Sequence, residues 1–187
     1  MLLPMCDEPV STMLKTRAGL LDFQEYFVRR GQRDKVLGVE LRGIEYARIP
    51  AEVSKAIAGA EAIILCPSNP VVSLGPILAV PGMRELLAGS FAPKIAVSPI
   101  VGGRALKGPA DKMLRSLGYE VSAVGVARMY SGLVSGFVID QVDREEQVSI
   151  SALGMHVLVT DAVMRNETDR QRLAWEALRF CSGLETR

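Results

Sequence analysis

Two short apolar runs, each followed at once by a loop rich in proline and glycine, constrain the fold of this chain more than any other feature. The runs are Ala62–Cys66 and Lys94–Val97. Runs of this length without polar alternation are typical of strands that are covered on both faces, as the strands of a parallel sheet are. The sequence therefore predicts buried parallel strands with helices packed on their faces.

Helical patterns surround these strands. Pro50, Pro81 and Pro109 each lie near the start of such a pattern, where the fixed φ and the missing N–H of proline suit the first helical turn. A short helix of about two turns is predicted after Asp22, the first residue of a capping-box pattern, with Gly31 just past its end. The apolar spacing over Glu167–Cys181 predicts a longer amphipathic helix.

Three more strands are predicted, at Lys35–Leu41, Gly136–Ile139 and His156–Val159, with an acidic turn region at Asp140–Gln147. Strand and helix therefore alternate along the chain. This order favours an α/β fold, an open, mostly parallel, Rossmann-like sheet in a three-layer sandwich. Because 187 residues, 49% of them hydrophobic, suffice for one core, we expect a single α/β domain over residues 1–187.

The composition excludes several classes of partner. Lys and Arg total 22 against 21 for Asp and Glu, so no general field attracts nucleic acid or an anionic membrane. No apolar run approaches the ~20 residues of a membrane-spanning helix, and no signal-peptide pattern is present. The three cysteines are widely spaced and predict reduced thiols. We expect a cytoplasmic protein that binds neither nucleic acid nor membrane.

The first candidate site is the loop Cys66–Gly75, which follows a predicted buried strand. Loops after parallel strands meet where ligands of open α/β sheets bind. Short side chains here offer donors and acceptors for a base, sugar or phosphate, and the prolines stiffen the turn. An Asx-capped turn without a ligand is an equal alternative. The candidate ligand residues are Ser68, Asn69, Pro70, Ser73 and Gly75.

The second candidate site is the loop Ser98–Asp111, which follows the other apolar run. Its glycine pair permits close approach of the backbone to a ligand, and its two cations suit an oxygen anion. Asp111 offers a metal ligand or a helix cap, and capping is the simpler role. No Walker or dinucleotide-binding glycine motif occurs, so the loop indicates an anion site of unspecified ligand. The candidate residues are Ser98, Pro99, Gly102, Gly103, Arg104, Lys107 and Asp111.

Other polar residues give weaker signals. His156, the single histidine, lies in an apolar run without a catalytic partner, which favours a core or edge-strand position. Asp140 and Asp143 follow a predicted strand and offer carboxylates to magnesium, but the charges after them favour a solvated turn. Asp161 leaves the same two alternatives open. The residues alone assign neither catalytic groups nor metal ligands.

Both candidate loops carry a family resemblance. The string Cys66–Gly82, CPSNPVVSLGPILAVPG, closely resembles the 2-phospho-L-lactate transferase (CofD-like) family of coenzyme F-420 biosynthesis. Ser98–Gly103 and Lys107–Met113 are similar to a second hallmark of that family, and Phe23–Arg30, FQEYFVRR, also matches. The likeness extends over most of residues 2–161.

The resemblance implies a group transfer with magnesium as cofactor. A ribityl hydroxyl of a hydroxy-deazariboflavin attacks the phosphorus that joins phospholactate or phosphoenolpyruvate to guanylate, and GMP leaves. Such transfers depend on positioning and charge stabilisation, which suits both loops. By this resemblance Ser68, Asn69 and Ser73 contact the nucleotide or its diphosphate. The residues that contact the transferred phosphoryl group are Gly102, Gly103, Arg104 and Lys107.

The beginning of the chain departs from the family pattern. Family members start with a strand and a Gly-Gly-Thr-Gly turn, and upstream segments hold the deazaflavin and the metal, whereas Met1 stands where the family sequence is already under way. We therefore expect a C-terminal portion of the fold that lacks the N-terminal strands. Such a portion is expected to form a homodimer or to pair with the missing N-terminal segment.

Two other functions remain as alternatives. One is a non-catalytic, nucleotide-sugar-binding regulator of the same fold, and the other is an inactive fragment that serves as a scaffold. The regulators usually carry a Gly-Ser-Leu-Tyr-Thr-Ser type of loop where this chain has Pro67–Ser73, which favours the transferase. Phospholactate and phosphoenolpyruvate donors fit the sequence equally well.

Overall fold

The computed structural model describes residues 1–184, and within them it contains nine strands and seven α-helices. The strands are β1 Ser11–Thr16, β2 Gly19–Asp22, β3 Val36–Arg42, β4 Ile63–Leu65, β5 Lys94–Val97, β6 Ile100–Val101, β7 Arg104–Ala105, β8 Gly136–Asp140 and β9 His156–Thr160. The helices are α1 Ala51–Ala58, α2 Leu74–Ala79, α3 Met83–Ala88, α4 Ala110–Ser116, α5 Ala123–Met129, α6 Gln147–Ser151 and α7 Glu167–Ser182. A π-helical turn, Glu25–Arg29, and two 3-10 helices, Ile44–Tyr46 and Gln141–Glu146, complete the elements.

The centre of the fold is a four-stranded parallel sheet of order β4-β5-β8-β9. Its two faces are covered by different helices. Ile95, Val97 and Val138 pack against α7 on one face, and Phe137 and Ile139 belong to the larger core on the other. This alternation within buried strands gives three layers and confirms the predicted α/β fold class. The prediction of one domain over residues 1–187 stays a prediction, and its last three residues lie outside the described range.

The strand predicted at Lys35–Leu41 exists as β3, but it does not belong to the parallel sheet. It pairs antiparallel with β1, which also pairs antiparallel with β2, so these strands form a separate sheet of order β2-β1-β3. Leu14 of β1 pairs with Leu21 and Val39 and is fully buried. β1 and β2 were not predicted, because neither has the continuous apolar run of a parallel strand.

Several helices also differ from their predictions. The segment predicted as a helix after Asp22 is helical from residue 23 to residue 29, with π-helical geometry over Glu25–Arg29, and the Asp22 carboxylate accepts the Gln24 N–H at 2.7 Å at its start. α2 was not predicted, and the helix predicted around Pro81 begins at residue 83. α5 was missed because it is buried all round from Ala123 to Ala127 and so lacks the polar face that reveals a surface helix.

The remaining general predictions concern cysteines and membranes. Cys6, Cys66 and Cys181 are free thiols, which confirms the expectation for the cysteines. Within residues 1–184, every helix is too short or too polar to cross a lipid bilayer.

We predict that Gly136→Ala destabilises the protein by about 1–3 kcal/mol, because a methyl group there overpacks the face under α7. An added Cβ would lie 2.8 Å from both Ile95 Cγ2 and Phe180 Cε1. Gly38→Ala in β3 is the matched control, since its added Cβ meets flexible Lys15 at an ordinary 3.5 Å. Urea unfolding measures both variants. Equal midpoints for the two variants would contradict the packing described for β8.

Candidate functional site

Loops that follow three of the parallel strands enclose a crevice of about 440 Å³ at the carboxyl edge of the central sheet. Ligands of open α/β sheets bind at this edge. The crevice is lined after β4 by Pro67 and Asn69, after β5 by Ser98, Pro99, Val101, Leu106, Lys107 and Ala110, and after β9 by Ala162, Val163, Met164, Arg165 and Arg170. The fold thus brings the two loops singled out in the sequence together and adds a third.

Asn69 gives the first loop its shape. Its side-chain oxygen accepts the N–H of Val71 at 2.9 Å, and its backbone oxygen accepts the N–H of Ser73 at 3.0 Å. These are the bonds of the Asx-capped turn that was one of the two alternatives. The side-chain nitrogen of Asn69 lies 3.4 Å from the Sδ of Met113. A thioether is a weak acceptor, so this N–H group remains available to a ligand in the crevice.

Ser98 begins the second loop and is almost fully buried. Its hydroxyl donates to the Ile100 carbonyl at 2.8 Å and accepts the Ile100 N–H at 3.2 Å. Both bonds are local, so Ser98 fixes the direction in which the chain leaves β5. Ser98 and Pro99 line the crevice as rigid wall residues.

Gly102 and Gly103 form the two-residue turn of the hairpin β6–β7. Their φ angles are +57° and +72°, and two positive values in succession are what a type I′ hairpin turn requires. The family resemblance assigns this pair to the transferred phosphoryl group, and that role stays a prediction. The Gly102 N–H donates to the Asp143 carboxylate at 3.0 and 3.1 Å, and neither glycine is among the lining residues.

The acidic region after β8 is exposed at Arg144 and Glu145, as its charges predicted, but its two aspartates are buried. It forms a 3-10 helix that leads into α6, and Asp140 and Asp143 are only 4% and 5% exposed. Asp140 accepts the N–H groups of Val142 at 3.1 Å and Ala162 at 2.8 Å. Backbone N–H groups thus replace water around both carboxylates. Asp143 anchors the hairpin, and Asp140 anchors the loop after β9.

Burial raises the pKa of the Asp143 carboxyl above its ordinary value. The Gly102 N–H acts in the opposite direction, and the charge of Asp140 raises the pKa further. The carboxylate is nevertheless the better acceptor for Gly102, because a charged acceptor strengthens a hydrogen bond. The bond to Gly102 is therefore strongest in the charged form, although the raised pKa means that the fold as a whole favours the protonated carboxyl more than the unfolded chain does.

Three cationic side chains line the crevice, Lys107, Arg165 and Arg170. Arg165 donates to Asp161 at 2.9 Å and Arg170 to Glu167 at 3.1 Å, whereas Lys107 forms no ion pair with any residue between 1 and 184. None of the lining residues is acidic. The crevice therefore carries an excess of positive charge and suits an anion. Neither arginine was predicted from the sequence, because only the tertiary structure places the start of α7 beside the second loop.

The other predicted site residues lie outside the crevice lining. Gly75 has a structural role, because a Cβ there would lie 2.9 Å from the Pro70 carbonyl oxygen. Arg104 is exposed on β7, and Asp111 lies in the first turn of α4 without a capping bond. The complete group outside the lining is Ser68, Pro70, Ser73, Gly75, Gly102, Gly103, Arg104 and Asp111.

The residues present do not form a magnesium site of their own. Over the described range, His, Cys, Asp and Glu side chains nowhere gather in the threes that could hold a metal ion. Asp140 and Asp143, the carboxylates considered in the sequence analysis, are engaged by backbone N–H groups. The magnesium implied by the resemblance stays a prediction.

Several known proteins are similar to this chain. The profile of the family described as 2-phospho-L-lactate transferase CofD matches residues 1–177. The 2-phospho-L-lactate transferase of Methanosarcina mazei is 41% identical over 174 residues, which are 92% of this chain and 56% of the relative. The phosphoenolpyruvate transferase of Streptomyces griseus is 37% identical over 182 residues, 95% of this chain and 57% of the relative. The chain thus spans about half the length of the curated relatives it matches.

A solved structure supports the fold. Protein BH3568 from Bacillus halodurans superimposes with a TM-score of 0.61 over 94% of this chain and 61% of that protein. The sequence identity is 18%, so this likeness concerns the fold alone.

We predict that Asp143→Ala speeds hydrogen exchange of the Gly102 amide by about tenfold or more, because it removes a charged acceptor. Asp143→Asn keeps an acceptor oxygen and should change this exchange less. Amide exchange followed by NMR measures both variants. Unchanged protection of Gly102 in Asp143→Ala would show that Asp143 does not anchor the hairpin.

The burial of Asp143 against the hairpin also makes the free energy of unfolding depend on pH. Because the pKa of Asp143 is raised in the fold, its contribution to the free energy of unfolding falls as pH rises from the ordinary value of 3.8 through the raised value. Asp143→Asn has no such contribution, so its stability relative to the wild type should rise over that range. A constant difference between the two unfolding free energies across this range would contradict the raised pKa.

Proposed function

The chain belongs to the 2-phospho-L-lactate transferase CofD family, as the resemblance in its sequence predicted, and on this premise we propose that its crevice binds the phosphate-bearing donor of a group-transfer reaction. The donor is phospholactate or phosphoenolpyruvate joined to guanylate, and the acceptor is the ribityl hydroxyl of a hydroxy-deazariboflavin. The product is the precursor of the deazaflavin coenzyme, and GMP is released.

The observation that supports this proposal is the charge of the crevice. Lys107, Arg165 and Arg170 line it without any acidic neighbour in the lining. Apolar side chains of Leu106 and Met164 lie beside these cations. A guanylated donor combines a planar base with several phosphate oxygens, so both kinds of surface have a counterpart in the ligand.

The proposed reaction exchanges one P–O bond for another. The hydroxyl oxygen of the acceptor attacks the phosphorus of the phospholactate or phosphoenolpyruvate group. The bond from that phosphorus to the bridging oxygen of guanylate breaks, GMP leaves with the electron pair, and the hydroxyl proton passes to solvent. Negative charge grows on the leaving group, and fixed cations stabilise it.

Lys107 is the residue to which we assign this charge stabilisation. It is exposed and free of ion pairs within residues 1–184, so no internal carboxylate must be displaced when phosphate binds. The hairpin β6–β7 precedes it directly, and Asp143 fixes the turn of that hairpin. Positioning of this kind supplies much of the rate in phosphoryl transfer.

We predict that Lys107→Gln weakens GDP binding by about tenfold or more, since it removes one charge-assisted contact to phosphate. Lys55→Gln is the matched control, because Lys55 is exposed on α1, lies outside the crevice and also makes no ion pair within residues 1–184. Titration calorimetry measures both variants. GDP affinities that are equal in the two variants would remove Lys107 from the site.

The ligand and the reaction are tested separately. Guanine nucleotides should bind more tightly than UDP-N-acetylglucosamine, and equal affinity would favour the nucleotide-sugar-binding regulator instead. GMP release is then measured with the hydroxy-deazariboflavin acceptor, magnesium and the guanylated donor. The assay is run with and without a co-expressed N-terminal segment of a relative. Tight GDP binding without GMP release under both conditions would contradict the proposed transfer and retain the binding site.

A further inference from the structure

A second cavity lies between the end of the π-helical turn and helix α4. Its volume is about 310 Å³, and none of its lining residues belongs to the crevice. We call it the seam pocket, because it lies where the antiparallel sheet β2-β1-β3 and its following segment meet α4. The lining residues are Tyr26, Gln32, Arg33, Asp34, Lys35, Lys112, Arg115 and Ser116.

The seam pocket concentrates positive charge in a chain that carries almost none overall. Half of its lining residues are cationic, namely Arg33, Lys35, Lys112 and Arg115, and none of them forms an ion pair within residues 1–184. Asp34 is the single acidic lining residue, and Arg30 already binds it at 3.3 Å. The net charge of the whole chain is only +1, so this cluster is a local feature. Like charges at one cavity repel each other unless an anion lies between them.

Tyr26 provides a second, independent feature. Its side chain is 1% exposed, yet it contributes to the lining of the pocket. Burial raises the pKa of Tyr26, so the hydroxyl stays protonated and can donate. The pocket therefore contains a neutral hydroxyl donor beside its cations.

The backbone at the pocket is also unusual. Gln32 has φ +60°, the one positive value outside glycine within residues 1–184. The N–H of Gln32 donates to the Tyr26 carbonyl at 3.0 Å, and this bond ties the turn at Gln32 to the π-helical turn that contains Tyr26. Unfavourable backbone angles of this kind persist where the surroundings enforce them, and they are frequent at ligand-binding sites.

From these observations we propose that the seam pocket binds a multiply charged phosphate anion, either pyrophosphate or the diphosphate group of a nucleotide. The guanidinium groups of Arg33 and Arg115 suit paired phosphate oxygens, and Lys35 and Lys112 add point charges. Four cations match an anion of several charges better than a single phosphate. This site is independent of the proposed function, because it uses no residue of the crevice.

Amide chemical shifts in the NMR spectrum of the full chain test the proposal. Pyrophosphate should shift the amides of Gln32, Arg33 and Ser116 in a saturable manner, at lower concentrations than inorganic phosphate. Sodium chloride at matched ionic strength is the control. Tighter binding of GDP than of pyrophosphate at these amides assigns the nucleotide as the source, and equal binding assigns the diphosphate alone. Shifts no larger than those caused by sodium chloride would overturn the proposal and leave a solvated basic surface.

A matched pair of double variants separates a site from a general charge effect. Lys112→Gln combined with Arg115→Gln should weaken pyrophosphate binding at these amides by about tenfold or more. Arg17→Gln combined with Arg29→Gln removes the same charge from exposed residues outside the pocket and should leave the affinity unchanged. Lys107→Gln should also leave it unchanged, which distinguishes the seam pocket from the crevice. Equal weakening in both double variants would overturn the proposal.

Discussion

The need to cover both faces of the parallel strands governs the rest of this structure. β8 has every residue buried, from Gly136 to Asp140, so helices must pack above and below it. Parallel strands also end at the same edge of the sheet. The loops after β4, β5 and β9 are therefore forced together, and the crevice between them follows from the topology before any ligand is considered.

Buried carboxylates then fix the loops that this edge gathers. Asp140 holds Ala162 at the start of the loop after β9, and Asp143 holds the turn of the hairpin β6–β7. Neither carboxylate has a cationic partner within residues 1–184, so backbone N–H groups compensate the cost of burial. As a result the acidic side chains are directed into the scaffold and are absent from the crevice lining, which leaves the crevice positive.

The sequence predicted the parts of the fold that depend on local pattern. The apolar runs at Ala62–Cys66 and Lys94–Val97 contain β4 and β5, and both candidate loops reach the crevice. It could not predict that Gly102 and Gly103 turn a hairpin, because the same pair also suits a phosphate-binding loop. It also could not place Arg165, whose position beside the second loop depends on how α7 packs. The burial of Asp143 could not be predicted, because it depends on a backbone N–H forty-one positions away in sequence.

A crystal structure of the chain with GDP tests most directly whether the crevice binds the nucleotide. We expect the diphosphate within hydrogen-bonding distance of Lys107 Nζ and the side-chain nitrogen of Asn69. Two competing locations are the seam pocket and a cavity of about 310 Å³ at the amino edge of the sheet, lined in part by Lys94 and His156. Lys94 already donates to the carbonyls of Ser90 at 2.7 Å and Ala92 at 3.0 Å, which leaves it less able to bind phosphate. GDP bound at the amino-edge cavity or in the seam pocket, with none in the crevice, would contradict the site described above.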